Sequence, residues 1–256
     1  MNCSDIICEI EKIFPLASAE EWDNPGLLVG RRDKEVKKIL VALDALDSVI
    51  DQAIEQKADL LITHHPLIFG SLKKINSDTF IGERILRLIE NGIAAYAMHT
   101  NYDVCGMADL NAEMLGLGDV SILSYSGEEE GLGRVGSLKT PMKYYDFAEQ
   151  VKKVFELSDV RCYGEGNPLI QTVAVCGGSG KSLLSDVYAA GADVYITGDI
   201  DYHTGIDAWA NGLRIIDAGH FGTEHCFIPD CVKRFQDMFP ELEVLKADQP
   251  EPYKAL

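Results

Sequence analysis

Apolar residues recur along the chain at two spacings. At helical spacing they stand at Ile6, Ile7, Ile10, Ile13 and Phe14, and again at Phe147, Val151, Val154 and Phe155. That rhythm predicts an amphipathic helix opening each half of the chain. Behind each helix come two short apolar runs of strand character, at 26–30 and 39–43 and then at 160–163 and 172–176. A second helical stretch follows in each half, at 48–56 and at 183–190.

The pattern then repeats almost word for word. Residues 58–63 read Ala-Asp-Leu-Leu-Ile-Thr and residues 192–197 read Ala-Asp-Val-Tyr-Ile-Thr. After another helix, Asn91-Gly92-Ile93 and Asn211-Gly212-Leu213 each open a further strand. The order in both halves is α-β-β-α-β-α-β-α. A fixed order recurring at this distance predicts a duplication, with halves at 1–125 and 126–256. Strands alternating with helices predict an α/β fold with largely parallel or mixed sheets. The acidic, glycine-containing stretch 124–133 is the expected join, and the C-terminal part of the second half is expected to pack back and complete the site.

Composition narrows the class of protein. The chain has 256 residues, 46% hydrophobic and 25% charged, as in ordinary globular domains. No apolar run approaches the roughly 20 residues that span a bilayer, and the N-terminus lacks the pattern of a signal peptide. With 23 Lys plus Arg against 41 Asp plus Glu the formal net charge is −18. Such a surface has no basic footprint for nucleic acid and is repelled by anionic membranes. The 7 cysteines are odd in number and never spaced C-x-x-C. A disulfide framework and a zinc finger are both disfavoured, and a reducing cytoplasm is the expected setting.

The polar residues that break the pattern fall at strand ends, where ligands bind in open α/β sheets. His64 and His65 follow the first Ala-Asp strand, His99 follows the first Asn-Gly strand, and His220 follows the second. A carboxylate lies four positions beyond each of the last two, Asp103 after His99 and Glu224 after His220. One buried histidine is more often a hydrogen-bonded core residue than a ligand. Four of the 6 histidines at strand ends, two beside spaced carboxylates, point instead to metal. Imidazole nitrogen with carboxylate oxygen suits zinc, iron, manganese or nickel without choosing among them. Two such carboxylates would offset half the charge of two divalent cations, leaving a positive site suited to a small anionic substrate. His99 is the candidate acid/base residue, and Asp199, which replaces His65 in the second half, is expected to support rather than ligate.

The segment Gly177-Gly178-Ser179-Gly180-Lys181-Ser182 suggests a phosphate-binding loop. The required first glycine falls on Val175, so the motif fails and a tight turn is expected.

Five segments together resemble a known family. They are Trp22-Asp23-Asn24-Pro25-Gly26-Leu27-Leu28-Val29-Gly30, Thr63-His64-His65-Pro66-Leu67, His99-Thr100-Asn101-Tyr102-Asp103, Gly131-Leu132-Gly133-Arg134-Val135-Gly136 and Gly219-His220-Phe221-Gly222-Thr223-Glu224. The chain is similar over residues 5–245 to the Nif-three-like family, also described as GTP cyclohydrolase I type II homologues. Pro25 and Tyr102 depart from the family's usual residues, and neither is a proposed ligand. The resemblance implies two intertwined α/β halves and a dinuclear metal centre held by His64, His65, Asp103, His220 and Glu224. It also implies a homohexamer. Two functions fit these expectations: a metal-dependent hydrolase of a small nucleotide-like or phosphorylated substrate, with GTP cyclohydrolase-type activity as one case, or a non-catalytic metal-binding, metal-handling or scaffold protein.

Overall fold

The computed structural model describes residues 1–253. Along the chain these form α1 (Cys3–Ile13), β1 (Gly26–Val29), β2 (Lys38–Ala42), α2 (Asp47–Glu55), β3 (Leu60–Thr63), α3 (Phe80–Glu90), β4 (Ala94–Ala97), the single turn α4 (Thr100–Tyr102), α5 (Ala108–Met114), β5 (Leu117–Tyr125), β6 (Gly131–Lys143), α6 (Tyr144–Val154), β7 (Arg161–Tyr163), β8 (Leu169–Val175), α7 (Leu184–Ala189), β9 (Val194–Thr197), α8 (Tyr202–Ala210), β10 (Arg214–Asp217), α9 (His220–Glu224), α10 (Phe227–Met238) and β11 (Glu243–Lys246). Both opening helices form as the apolar rhythm predicts. α1 buries Cys3, Ile6, Ile7 and Ile10, and α6 buries Tyr144, Phe147, Ala148 and Val151.

The chain divides into two compact units. Among the described residues, 1–102 and 226–250 make the first, and 103–225 with 251–253 make the second. The duplication read near residue 125 is a boundary of sequence pattern, whereas these units are boundaries of packing. The stretch 124–133, expected as a join, is instead the tip of the antiparallel β5–β6 hairpin inside the second unit. Its turn is closed by Ser126 N–H donating to Glu130 O at 3.0 Å.

The first unit holds a sheet of order β1-β4-β3-β2-β11. β4, β3, β2 and β11 run parallel, and β1 runs antiparallel to β4. β3 and β4 are buried at every position, as strands covered on both faces must be. The second unit holds a sheet of order β5-β6-β8-β9-β10-β7. There β8, β9 and β10 are parallel, and β6 and β7 are antiparallel at their flanks. The mixed α/β class expected from the sequence is the one observed. The hairpin and β11 lie outside the predicted pattern. Among the described residues no helix is long and apolar enough to cross a membrane.

The repeated dipeptides have physical roles that explain their recurrence. The Asp59 carboxylate accepts from the N–H groups of Lys37 and Lys38, at 2.9 and 3.1 Å, where β2 begins. The Asp193 carboxylate does the same for Gln171 and Thr172, at 2.8 and 2.9 Å, within β8. Each aspartate thus pairs backbone donors on the neighbouring strand. The Asn-Gly pairs stop helices: Gly92 and Gly212 have φ of 66° and 85°, the left-handed conformation that ends a helix in a tight C-cap. The next residues, Ile93 and Leu213, then donate back to Leu88 O and Ala208 O at 2.8 and 3.0 Å.

Candidate metal centre

Parallel strands bring their carboxyl ends to one edge of a sheet, and the first unit uses that edge for polar residues. Asp44 lies just past β2, His64 and His65 past β3, and His99 past β4. β1 is antiparallel to β4, so its start pairs with the end of β4, Gly26 opposite Ala97. Asp23 therefore reaches the same edge from the other direction.

The three histidines form a tight group, with a ring nitrogen of each within 4.8 Å of the others. His64 is fully buried and packs against His65, His99 and Phe227, at centroid distances of 4.9, 5.2 and 5.2 Å. Their outward bonds follow one rule. His64 Nδ1 donates to Met98 O at 2.8 Å. His65 Nδ1 donates to Asp44 Oδ1 at 2.7 Å, and His99 Nδ1 donates to Asp23 Oδ1 at 2.8 Å. A carbonyl or carboxylate oxygen can only accept, so Nδ1 carries the proton and the lone pair of each neutral ring sits on Nε2. This is how metal-binding imidazoles are usually oriented.

These acceptors are themselves held. Asp44 Oδ2 accepts from Gln249 Nε2 at 2.7 Å. Gln249 follows β11, which is parallel to β2, so the unpredicted strand delivers a side chain to the same edge. The Asp23 side chain is fully buried and also accepts from Thr100 N and Thr100 Oγ1, at 3.0 and 2.6 Å. Burial by itself would raise its pKa. The hydrogen bonds from His99 and Thr100 and the charge of His99 outweigh it and bring the carboxyl to about 2.

The second unit repeats the arrangement. Asp199 follows β9 and His220 follows β10, and His220 Nδ1 donates to Asp199 Oδ2 at 2.8 Å. His220 Nε2 lies 3.1 Å from Glu224 Oε2, one helical turn on in α9. A carboxylate oxygen of Glu224 is within 4.8 Å of one of Asp103, which opens a π-helical turn over Asp103–Met107. Such turns are frequent at functional sites.

The glycine-rich stretch after β8 packs against this group. A Cβ at Gly178 would stand 2.3 Å from Glu224 Oε1 and 3.3 Å from His220 Nε2, so only glycine fits. Gly178 N–H donates to Thr223 Oγ1 at 2.9 Å, which fixes the loop to α9. Cys176 is buried beside it, and burial together with the charges of Asp103 and Glu224 pushes its thiol up to about 12. It stands as a neutral packing group. At the end of β10, burial raises the Asp217 carboxyl against the lowering effect of Gly219 N–H, and the 3.0 Å bond between them shapes the turn into His220.

The histidines and carboxylates proposed from the sequence as ligands or as the acid/base residue therefore lie in one of two donor sets. His64, His65 and His99 stand together in the first unit, and Asp103, His220 and Glu224 in the second. Asp199 pairs with His220 Nδ1, in the supporting place expected of it. Sequence reasoning missed Asp44, Asp23, the Met98 carbonyl and Gly178. Asp44 carried the same strand-end signal as the histidines, and Asp23 lay inside the first segment of the family resemblance. The donor chemistry fits divalent metal ions: neutral imidazoles with Nε2 as donor, two carboxylates, and a glycine backbone leaving room for one of them.

The fold and these sets define a duplicated α/β protein with histidine and carboxylate groups at the strand ends able to bind metal ions. The chain belongs to the family described as Duf34/NIF3 (NGG1p interacting factor 3), which matches residues 1–252. A Clostridium perfringens protein named GTP cyclohydrolase 1 type 2 homolog is 40% identical over 228 residues, covering 88% of this chain and 87% of the relative. A Streptococcus pneumoniae protein of the same name is 39% identical over 227 residues, covering 86% and 85%. Among solved structures, a Bacillus cereus protein related to NIF3 has a TM-score of 0.94 at 27% identity, covering 100% of this chain and 99% of that one. Reduced HcgD from Methanocaldococcus jannaschii has a TM-score of 0.84 at 35% identity, covering 97% and 98%.

Proposed function

We propose that His64, His65, Asp103, His220 and Glu224 hold two divalent transition-metal ions, and that the protein is a metal-dependent hydrolase of a small nucleotide-like or phosphorylated substrate. The observation that carries the reading is the shared orientation of the histidines. His64, His65 and His220 each commit Nδ1 to an oxygen acceptor, which leaves Nε2 as the metal-binding atom. Ions bound there would supply Lewis acidity and activate water at neutral pH. The chain's own residues then have distinct tasks. Asp44 and Asp199 make their imidazoles better donors. Glu224 and Asp103 neutralise part of the cationic charge.

His99 has the same bond to a carboxylate but stands outside the proposed ligands. Its bond to Asp23 fixes the ring with Nε2 turned away from the carboxylate, an orientation that suits it to exchange a proton with a leaving group or with water. The names of the curated relatives bring GTP ring hydrolysis into this class as one candidate reaction. Assembly as a homohexamer and a cytoplasmic location complete the proposal.

Elemental analysis of the purified protein, beside a His64→Ala, Glu224→Ala double variant, tests the reading. About two transition-metal ions per chain, lost in the variant, are expected. Nucleotides and phosphoesters are then screened for hydrolysis. Absence of metal after reconstitution at neutral pH would falsify the proposal. Light scattering tests the assembly, with six times the 28.2 kDa chain mass expected.

A further inference from the structure

Beyond His65 the chain runs from residue 66 to residue 79 without helix or strand. Irregular loops longer than about 12–15 residues are uncommon in compact domains and are usually functional. This one, with residues just after β2 and the first turns of α3, lines a cavity of about 440 Å³. Small-molecule sites typically enclose about 300–1,000 Å³, mostly apolar with a few placed polar groups.

The cavity wall has two characters. One part belongs to the donor row: His65 and Asp44, joined at 2.7 Å. The rest is largely aliphatic and aromatic. Phe69 and Phe80 stand on it with 56% and 65% of their surface exposed. Aromatic faces of this size are costly to leave in water and are usually covered. Phe69 also leans on Trp22, 59% exposed, with ring centroids 5.8 Å apart.

Charge sharpens the picture. Arg84 is the single cation among the lining residues. It makes a two-pronged bond to Asp47, at 2.9 and 3.1 Å, and its guanidinium lies 5.0 Å from the Phe80 ring centroid. Its charge is therefore already matched, while Asp44 adds a negative one. A phosphate lodged against the aromatic part of the wall, away from His65, would lose water without gaining a side-chain cation. An uncharged ring would cover Phe69 and Phe80 and lose nothing.

We propose that this cavity is the specificity pocket of the candidate site. It takes an uncharged aromatic or heteroaromatic ring and presents the polar group attached to that ring to His65. The inference rests on the metal-dependent reading and narrows it. Of nucleotide-like and simply phosphorylated substrates it selects the ring-bearing class, with any phosphate left outside the cavity.

The test uses zinc-loaded protein of measured metal content, titrated by calorimetry with acetohydroxamate and with benzohydroxamate. The two share a chelating head and differ by a phenyl ring. The ring is expected to tighten binding roughly tenfold or more. Phe69→Ala reduces that gain and Ser71→Trp, which fills the cavity, abolishes it, with acetohydroxamate binding unchanged in both. Equal affinities, or a gain that survives Ser71→Trp, overturn the pocket and leave the metal reading intact. If the protein takes up no zinc, the metal reading fails and the pocket is judged with indole, a ring without a chelating head. Saturation transfer to indole that Ser71→Trp removes supports the pocket, and absent or persistent transfer overturns it. A change of oligomeric mass in Phe69→Ala means that a second copy of the chain covers this face, which also overturns it.

Discussion

His99 donates Nδ1–H to Asp23 at 2.8 Å, across 76 positions of sequence. The pair joins the end of β4 to the segment before β1, and Thr100 binds the same carboxylate through its backbone and its hydroxyl. The Asp23 carboxylate is buried and ionised, so it couples the candidate proton-transfer residue to the stability of the first unit. The sign follows from its pKa, which falls to about 2 on folding from an ordinary 3.8. A carboxyl whose folded value is depressed stabilises the protein above its unfolded value. That stabilisation is lost as pH drops through 3.8 towards 2. Urea unfolding of the metal-free protein and of Asp23→Asn, from pH 7 downward, should show a difference on the order of 2 kcal/mol from ionisation that vanishes over that window. A difference independent of pH would refute the linkage.

Asp44 orients His65 by accepting from its Nδ1 at 2.7 Å. Asp44→Asn removes the charge and is expected to leave the fold in place, since Gln249 can still pair with the new amide. Metal affinity should fall by about 10–100-fold, the usual effect of losing such a partner. Competition against a chromophoric chelator measures it. Unchanged affinity would mean that His65 is not a ligand or needs no orienting partner.

Gly178 has φ of +61° and no room for a side chain beside Glu224. Gly178→Ala combines backbone strain of about 1–2 kcal/mol with displacement of a proposed ligand. Both the melting temperature and the metal content should drop. Gly166→Ala is the control: φ there is +76°, yet nothing lies within 4 Å of the added carbon. It should lose stability and keep its metal. Equal metal loss in both variants would show that general destabilisation, not the fit against Glu224, is responsible.

Lys57 ends α2 with φ of 56°, donating to Ile54 O at 3.1 Å. The second half places Gly191 at the matching point, with φ of 65° and the bond to Tyr188 O also at 3.1 Å. Lysine is strained there and glycine is not. Lys57→Gly should therefore stabilise the chain, by up to about 1 kcal/mol after the entropy of the glycine is counted. A raised urea midpoint with unchanged slope is the expected result, and a lowered midpoint would contradict it.

Much of the fold was legible along the chain. The helical rhythm located α1 and α6, and the repeated Ala-Asp and Asn-Gly pairs marked β3, β9, β4 and β10, because burial and helix termination act on neighbouring residues. Histidines and carboxylates at strand ends were visible for the same reason. The β5–β6 hairpin was read as a join because its tip, Ser-Gly-Glu-Glu-Glu, has the composition of a linker, and composition does not reveal which strands pair.

The sequence by itself determined the donors: which residues could bind a metal, and that they cluster past parallel strands. Only tertiary structure decided what each donor faces. Asp44 meets His65 because β2 lies beside β3, and Asp23 meets His99 because β1 runs antiparallel to β4. Gln249 reaches Asp44 because β11 joins the sheet next to β2. Gly178 meets Glu224 because the chain after β8 packs against α9. Each of these contacts depends on the order of strands in space, set by the burial of whole faces. No local pattern of apolar and polar residues records that order.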